Sequence, residues 1–259
     1  MRQEPFSYLL VGSGRLAKHF AYYFKSKGMS LRTWSRSTHS IEQLNSSVKE
    51  ASHILLAISD DQIEKFISQH LQNYKHKIIV HFSGALSITN LLCEKNDSEI
   101  IGAHPLMSFS YELYDLKDYE KIPFIFDSKV NENEIGLSKI FPLLSNPFHY
   151  LESNKKALYH ALCVVGGNFT NILWATVEKE FVSSLKLSPD VLAEYKQRVF
   201  RNNLLDSKGT LTGPFIRQDL ATIEKHTQAL EKVGLAQLYT SMFQVYEQIN
   251  QAHIAKETN

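Results

Sequence analysis

The chain is poor in cysteine: Cys93 and Cys163 are the only two in 259 residues, and no CxxC or Cys/His cluster surrounds either. That excludes a disulfide framework and a structural zinc site, predicts no metal, and fits a reducing cytoplasm. No apolar run approaches the ~18 residues of a membrane span. The N-terminus leads from Met1-Arg2-Gln3-Glu4-Pro5 into Ser7-Tyr8-Leu9-Leu10-Val11 without the longer apolar stretch and small-residue cleavage site of a signal peptide, so the mature chain is expected to start near Met1. Neither sign of charge dominates, with 28 Lys and Arg against 27 Asp and Glu. No bulk positive field is therefore available to hold nucleic acid or an anionic membrane. Internal repeats, low-complexity tracts and Gly/Ser-rich linkers are also missing, and the composition is that of a globular protein able to bury its own core.

Short apolar runs alternate with helix-like stretches from the start: strand-like 8–11, helical 15–27, strand-like 30–34, helical 41–50. The alternation continues through strand-like 53–57, helical 61–70, strand-like 77–81, a short helix around 86–92, and strand-like 99–103. Residues 123–126 and 148–151 read as two further strands flanking a helix over 132–144. Strands separated by crossover helices predict an α/β fold with a Rossmann-type parallel sheet and right-handed connections. After Glu152 the texture changes: 155–185, 191–203, 219–231 and 236–256 all read as helix. The expected organisation is a dinucleotide-binding domain over 1–152 and an all-α domain over 153–259, closely packed because no flexible linker divides them.

Directly after the first strand stands Gly12-Ser13-Gly14-Arg15-Leu16-Ala17, a GxGxxA sequence at the opening of a helix. The first glycine permits the turn, the second lets a pyrophosphate approach, and Ala17 allows close helix–strand packing; the helix N-terminus adds N–H donors and positive dipole. A plain strand-to-helix turn would use the same glycines for backbone freedom alone, but here every neighbouring βα unit falls into place around them. An NAD site usually carries an acid about 20 residues beyond the glycines to hold the ribose hydroxyls. This chain has Thr33-Trp34-Ser35-Arg36-Ser37 there, an arginine between hydroxyls suited to a 2′-phosphate, so NADP is predicted, with NAD possible if Arg36 is only a solvated loop charge.

In a doubly wound sheet the ligand crosses the carboxyl ends of the strands. That brings in the loops at Ile58-Ser59-Asp60-Asp61, Phe82-Ser83-Gly84 and Ala103-His104-Pro105. Asp60 and Asp61 read as the first turn of a helix. Ser83 is either a cofactor contact or a turn residue. His104 is either a donor to a substrate carbonyl or a rigid corner before proline. Further on, Lys156, His160 and Asn168 share a broad face if one helix holds them, since about 100° per residue sets His160 about 40° from Lys156 and Asn168 about 80° further round. Hydride transfer to a carbonyl or imine needs a proton donor and an orienting donor, which Lys or His with Asn supplies; solvated or packing roles are the alternative. The stretch Thr210-Leu211-Thr212-Gly213-Pro214 begins another helix, where Thr212, Gly213 and Arg217 could take an anionic substrate group, or Arg217 could simply meet solvent or Asp219.

The succession VGSGRLAKHF, ISDDQI, HFSGALS, GAHPLMSF, KKALYHAL and TGPFIRQD resembles an uncharacterised family of predicted oxidoreductases that join a Rossmann-like domain to a helical C-terminal domain of unknown function. The family is similar at a distance to pyrroline-5-carboxylate reductase, ketopantoate reductase and the 6-phosphogluconate and hydroxyisobutyrate dehydrogenases. The resemblance implies a homodimer with a cofactor cleft between domains. In the hydroxyacid dehydrogenases a helix carries a catalytic Lys and Asn four residues apart; here Lys156 has His160 at that spacing and Asn168 comes eight later. The expected function is therefore NADP-dependent hydride transfer on a small carbonyl, imine or hydroxy acid. A non-catalytic dinucleotide sensor or interaction protein is the rival class, and an enzyme with a second electron carrier such as a deazaflavin is the third.

Overall fold

The computed structural model describes residues 6–87, 98–127, 137–205 and 211–257, and the chain divides into two compact units, Met1–Thr170 and Asn171–Asn259. The first unit is built on β1 (Ser7–Val11), α1 (Arg15–Ser26), β2 (Ser30–Trp34), α2 (Ile41–Glu50), β3 (His53–Leu56) and α3 (Asp60–Phe66), which runs on into a π-helical turn, Ile67–Leu71. It continues through β4 (Ile78–His81), β5 (Glu99–Pro105), α4 (Leu116–Tyr119), β6 (Phe124–Asp127), α5 (Leu137–Ile140), β7 (Phe148–Leu151) and α6 (Lys156–Cys163), with a second π-helical turn over Val164–Phe169. Most of the helix expected around 86–92, and the start of that expected over 132–144, lie outside the described residues, as does Cys93.

The seven strands form one sheet in the order β2-β1-β3-β4-β5-β6-β7. The first five are parallel, with Val11 level with Trp34 on one side and Leu56 on the other. The Rossmann-type sheet is thus mostly parallel, with one exception: β6 runs antiparallel to β5, pairing Ala103 with Phe126, and β7 follows β6 in parallel. Residues 106–123 contribute only the single turn of α4 rather than the full crossover helix that usually joins parallel neighbours.

Both faces of the central strands are covered, so their residues alternate between two cores rather than between core and water. Tyr8, Leu10 and Leu55 pack with Phe20 and Phe24 of α1, Phe141 beyond α5, and Phe124 and Phe126 of β6. Leu9, Val11, Ile54 and Leu56 face Leu44 and Val48 of α2 and Ile63 and Phe66 of α3. Helix α2 begins with a capping box in which Ser40 Oγ accepts from the Gln43 amide and the Gln43 side chain accepts from the Ser40 amide. Its Leu44 and Val48, one turn apart and fully buried, each stabilise the fold by about 1.5–3 kcal/mol.

The second unit holds α7 (Thr170–Ser183), α8 (Ala193–Leu205), α9 (Pro214–Arg217), α10 (Leu220–Glu231) and α11 (Ala236–Glu257), α7 beginning one residue before it. Asp219 caps α10, its carboxylate accepting from the Thr222 amide at 3.1 Å and the Thr222 hydroxyl at 2.7 Å. Among the described residues no helix is long and apolar enough to cross a membrane.

Candidate functional site

A cleft of about 610 Å³ opens at the carboxyl ends of β1, β2 and β3, lined by Gly12, Gly14, Trp34, Arg36, Ser59 and Lys65 among others. With the order β2-β1-β3, the chain leaves β1 to one side and then to the other, so this is the point where the winding reverses and where such sheets bind ligands. Gly12 has φ +133°, its amide donates to the Trp34 carbonyl at 2.8 Å, and an added Cβ would stand 2.2 Å from the Ala57 carbonyl oxygen. Only glycine fits there. Gly14 is the N-cap of α1, offers no side chain to the first-turn amides, and has nothing within 4 Å of the place a Cβ would occupy. The helix start therefore carries unpaired N–H groups facing open space, without an acid in its first turn, which is the local chemistry an anion neutralises. Ala17 is buried against the sheet.

Ser13, Arg15, Leu16, Ser35, Arg36, Ile58 and Ser59 all line this cleft. Arg15 also leans over the Tyr111 ring, 5.0 Å from its centroid, and donates to the Phe109 carbonyl. Ser35 is buried and bonds to Thr38 at 2.7 Å and to Ser37 at 3.1 Å, tightening the turn on which Arg36 stands exposed. No carboxylate among the described residues pairs with Arg36. Lys65 of α3 and His70 of the π-helical turn join the cleft wall. Sequence reasoning passed over both, although an amphipathic helix following the third strand was the available signal.

The ends of β4 and β5 carry a second group on the same edge of the sheet. His104 Nδ1 lies 2.7 Å from Tyr159 Oη, and the rings of His104 and His160 meet edge to face at 6.0 Å. Gly84 makes room for them, since a Cβ there would stand 2.6 Å from His160 Cδ2 and 3.0 Å from His104 Nε2. Gly102 does the same for Lys156, whose Nζ would be 2.8 Å from such a Cβ, with His81 beside it. Lys156 is 3% exposed; its Nζ lies 3.5 Å from Asp127 Oδ2 without making a hydrogen bond, and Ser153 Oγ donates to the other oxygen of Asp127. Lys156, Tyr159 and His160 project from one face of α6 at i, i+3 and i+4.

Burial works against the charged forms of His81, His104, Lys156 and Tyr159. Burial, then the charge of Lys156, pushes His81 down to about 3. His104 falls to about 4 through burial first, then through the charges of His160 and Lys156. Burial also lowers Lys156, opposed by Asp127 and Asp60, and raises the Tyr159 phenol, next to Cys163. The imidazole of His104 is thus neutral across the physiological range, with a phenol that keeps its proton at one nitrogen.

Of the predicted catalytic residues, the structure brings His104, Lys156 and His160 together. Asn168 is exposed on the π-helical turn Val164–Phe169, where each residue advances less than 100° around the axis. The single continuous α-helical face from which its placement was reasoned is therefore absent. Ser83 is buried beneath the group, donating to Asp60 at 2.6 Å and accepting from the amides of Ala85 and Leu86. Asp60 and Asp61 occupy the first turn of α3 as expected. In the second unit, Gly213 takes φ +94° ahead of Pro214, Thr212 and Arg217 are exposed, and Asp219 caps the next helix; Thr210 lies outside the described residues. His81, Gly102, Asp127 and Tyr159 were missed, whereas Gly84 stood in one of the loops expected to face the ligand. Tyr159 had a signal in its spacing from Lys156, whereas Asp127 had only its place at a strand end.

These features define a Rossmann-like fold, and comparison with solved structures agrees with it. Residues 122–246 match the family described as Domain of unknown function (DUF2520). In fold it is similar to a Bacteroides fragilis protein named “putative NADP oxidoreductase”, with TM-score 0.73 and 22% identity over 94% of this chain and 98% of that one. It is similar also to a reductive aminase from Aspergillus terreus solved with cyclohexanone and allyl amine (TM-score 0.63, 12% identity, 96% and 95% covered). A Plasmodium falciparum pyrroline carboxylate reductase with NADP bound gives a TM-score of 0.59 at 13% identity, covering 93% and 98%. No curated protein matches the chain in sequence.

Proposed function

We propose that the chain is an NADP-dependent oxidoreductase acting by hydride transfer on a small carbonyl, imine or hydroxy-acid substrate. The observation that carries this reading is the cleft at the reversal between β1 and β3, where a glycine turn, an uncapped helix start and an unpaired Arg36 meet. Gly12, Ser13 and Gly14, with the first-turn amides of Arg15, Leu16 and Ala17, would hold a pyrophosphate; Ser35, Arg36 and Ser37 would hold a 2′-phosphate, with Lys65 adding charge to the same wall. Ile58, Ser59 and Ser83 belong to the strand ends that lead from the cleft to the second group. A nicotinamide bound here supplies the hydride. The chain's own residues supply the rest: His104 donates a hydrogen bond to the reacting oxygen or nitrogen, His160 faces it across Gly84, and Lys156 with Asp127 fixes the floor. Relatives in fold named as a reductive aminase and as a pyrroline carboxylate reductase support the range of substrate. Thr212, Gly213 and Arg217 are assigned to a substrate anion, Asn168 to orientation, and the 153–259 domain to pairing two copies of the chain.

The test is a thermal-shift titration of the wild-type chain and Arg36→Ala with NADPH and NADH. NADPH is expected to raise the melting temperature of the wild type well above the effect of NADH. Loss of one charge-assisted phosphate contact of about 1.5–3 kcal/mol should weaken NADPH binding about tenfold to a hundredfold in Arg36→Ala and leave NADH unchanged. A wild-type chain stabilised by neither nucleotide refutes the proposal.

A further inference from the structure

We infer that Tyr159 is a positioning residue that donates its phenolic proton to Nδ1 of His104 and thereby presents Nε2 of that ring as an N–H donor on its open side. The two atoms are 2.7 Å apart, and a neutral imidazole has one accepting and one donating nitrogen, so the direction of this one bond decides the role of the other nitrogen. Burial keeps both partners neutral, lowering His104 to about 4 and raising Tyr159. A neutral phenol has a proton to give. The other acceptor at hand, the sulfur of Cys163, is a weak one, which leaves Nδ1 as the better partner. Near the ring stand His160, edge to face, and Lys156, whose charge it feels, and neither bonds to Nε2. That nitrogen has no partner among the described residues and is not among the buried unpartnered atoms, so it opens to solvent. Gly84 keeps it so, because a Cβ there would stand 3.0 Å away.

The inference rests on the proposed reductase reading for its consequence but not for its test. An N–H donor needs a lone pair opposite it. The site would then take a carbonyl oxygen or a neutral imine nitrogen, whose hydrogen bond strengthens as negative charge develops there, and would reject an iminium cation, which has no lone pair to offer. Tyr159 touches no substrate and acts only through His104.

Histidine-selective 15N labelling of the full chain, read by long-range 1H–15N NMR, reports the tautomer directly, with His104 assigned by loss of its signals in His104→Gln. The expected spectrum has a protonated Nε2 and an unprotonated Nδ1 throughout the neutral range. In Tyr159→Phe this preference should vanish, and the pKa of His104 should rise by roughly half to one unit, because the bond that favoured the neutral ring is gone. A protonated Nδ1 in the wild type overturns the inference, as does a Tyr159→Phe chain in which His104 keeps its tautomer or becomes more acidic. If Tyr159→Phe does not fold, the wild-type spectrum decides alone. A chain that shows the expected tautomer but is not stabilised by NADPH keeps this inference and loses the reductase reading.

Discussion

The two units of the chain treat their apolar residues in opposite ways. In Met1–Thr170 the inner strands and one face of the helices against them are buried, Leu9, Leu10, Ile54, Leu55 and Phe24 being wholly out of water. In Asn171–Asn259 Leu192 is the one buried hydrophobic residue among those described, while Ile172, Leu173, Leu204, Leu205, Leu220 and Met242 are exposed. Trp174 packs against Tyr195 and Phe200, and Phe215 against Tyr239 and Phe243, yet such pairs do not amount to a core. The sheet unit buries far more of its apolar residues than the helical unit does, and burial is what offsets chain entropy. So large an apolar surface on a chain of balanced charge is the mark of a surface that is covered, and a second copy of the chain is the cover proposed here.

The contrast is sharpest for deletions in the first core. Phe20→Ala should cost about 3–5 kcal/mol in denaturant unfolding, a loss of transfer energy plus a cavity, and the cost should not depend on protein concentration. Acid comes next, and also acts on the sheet unit. His81 and His104 have folded pKa values of about 3 and about 4 against about 6.5 for an unfolded histidine, so below pH 6.5 the unfolded chain binds more protons. Their contribution is complete above that pH and is lost progressively down to the folded values. The slope is at most about 1.4 kcal/mol per histidine per pH unit, and a fall of the order of 2–3 kcal/mol between pH 6.5 and 4.5 is expected, with partly open His104 giving less than its share. Urea titrations across that range measure it, and His81→Leu should flatten the curve. The smallest effect falls on the helical unit. Sedimentation of the wild type should give about twice 29.7 kDa, and Leu173→Glu should raise the dimer dissociation constant about tenfold or more, while the sheet unit keeps its spectrum. A wild type that sediments as a monomer at every concentration would leave the two units without the difference drawn between them.

Much of the sheet unit was legible because its signals are local. The bounds of β2, α2 and β7 coincide with the runs read from hydrophobic periodicity, and the glycine turn stands where the fingerprint put it. The direction of β6 was not legible, since it depends on how 106–123 returns rather than on any pattern within 124–127. In the same way His104, Lys156 and His160 were named from residue type, but their partners were not. Asp127 and His81 come from strand ends far from α6 in sequence, and nothing in a run such as Phe124-Ile125-Phe126-Asp127 marks its last residue as the counter-charge of a lysine. Asn168 is a different case: its placement assumed a helix of one pitch, and the π-helical turn changes that pitch.

Gly84 and Gly102 have a meaning beyond the space they leave. At Gly84 the ring of His160 comes down on bare backbone beside His104, and at Gly102 the end of Lys156 does so beside His81. A floor of main chain limits only the size of what stands on it, so His160 can be exchanged for another residue of similar size without a matching change in that backbone, whereas Tyr159 is tied to His104. The selectivity of this edge is thus written on one turn of one helix, and a lineage could redraw its chemistry there while the scaffold beneath stays the same.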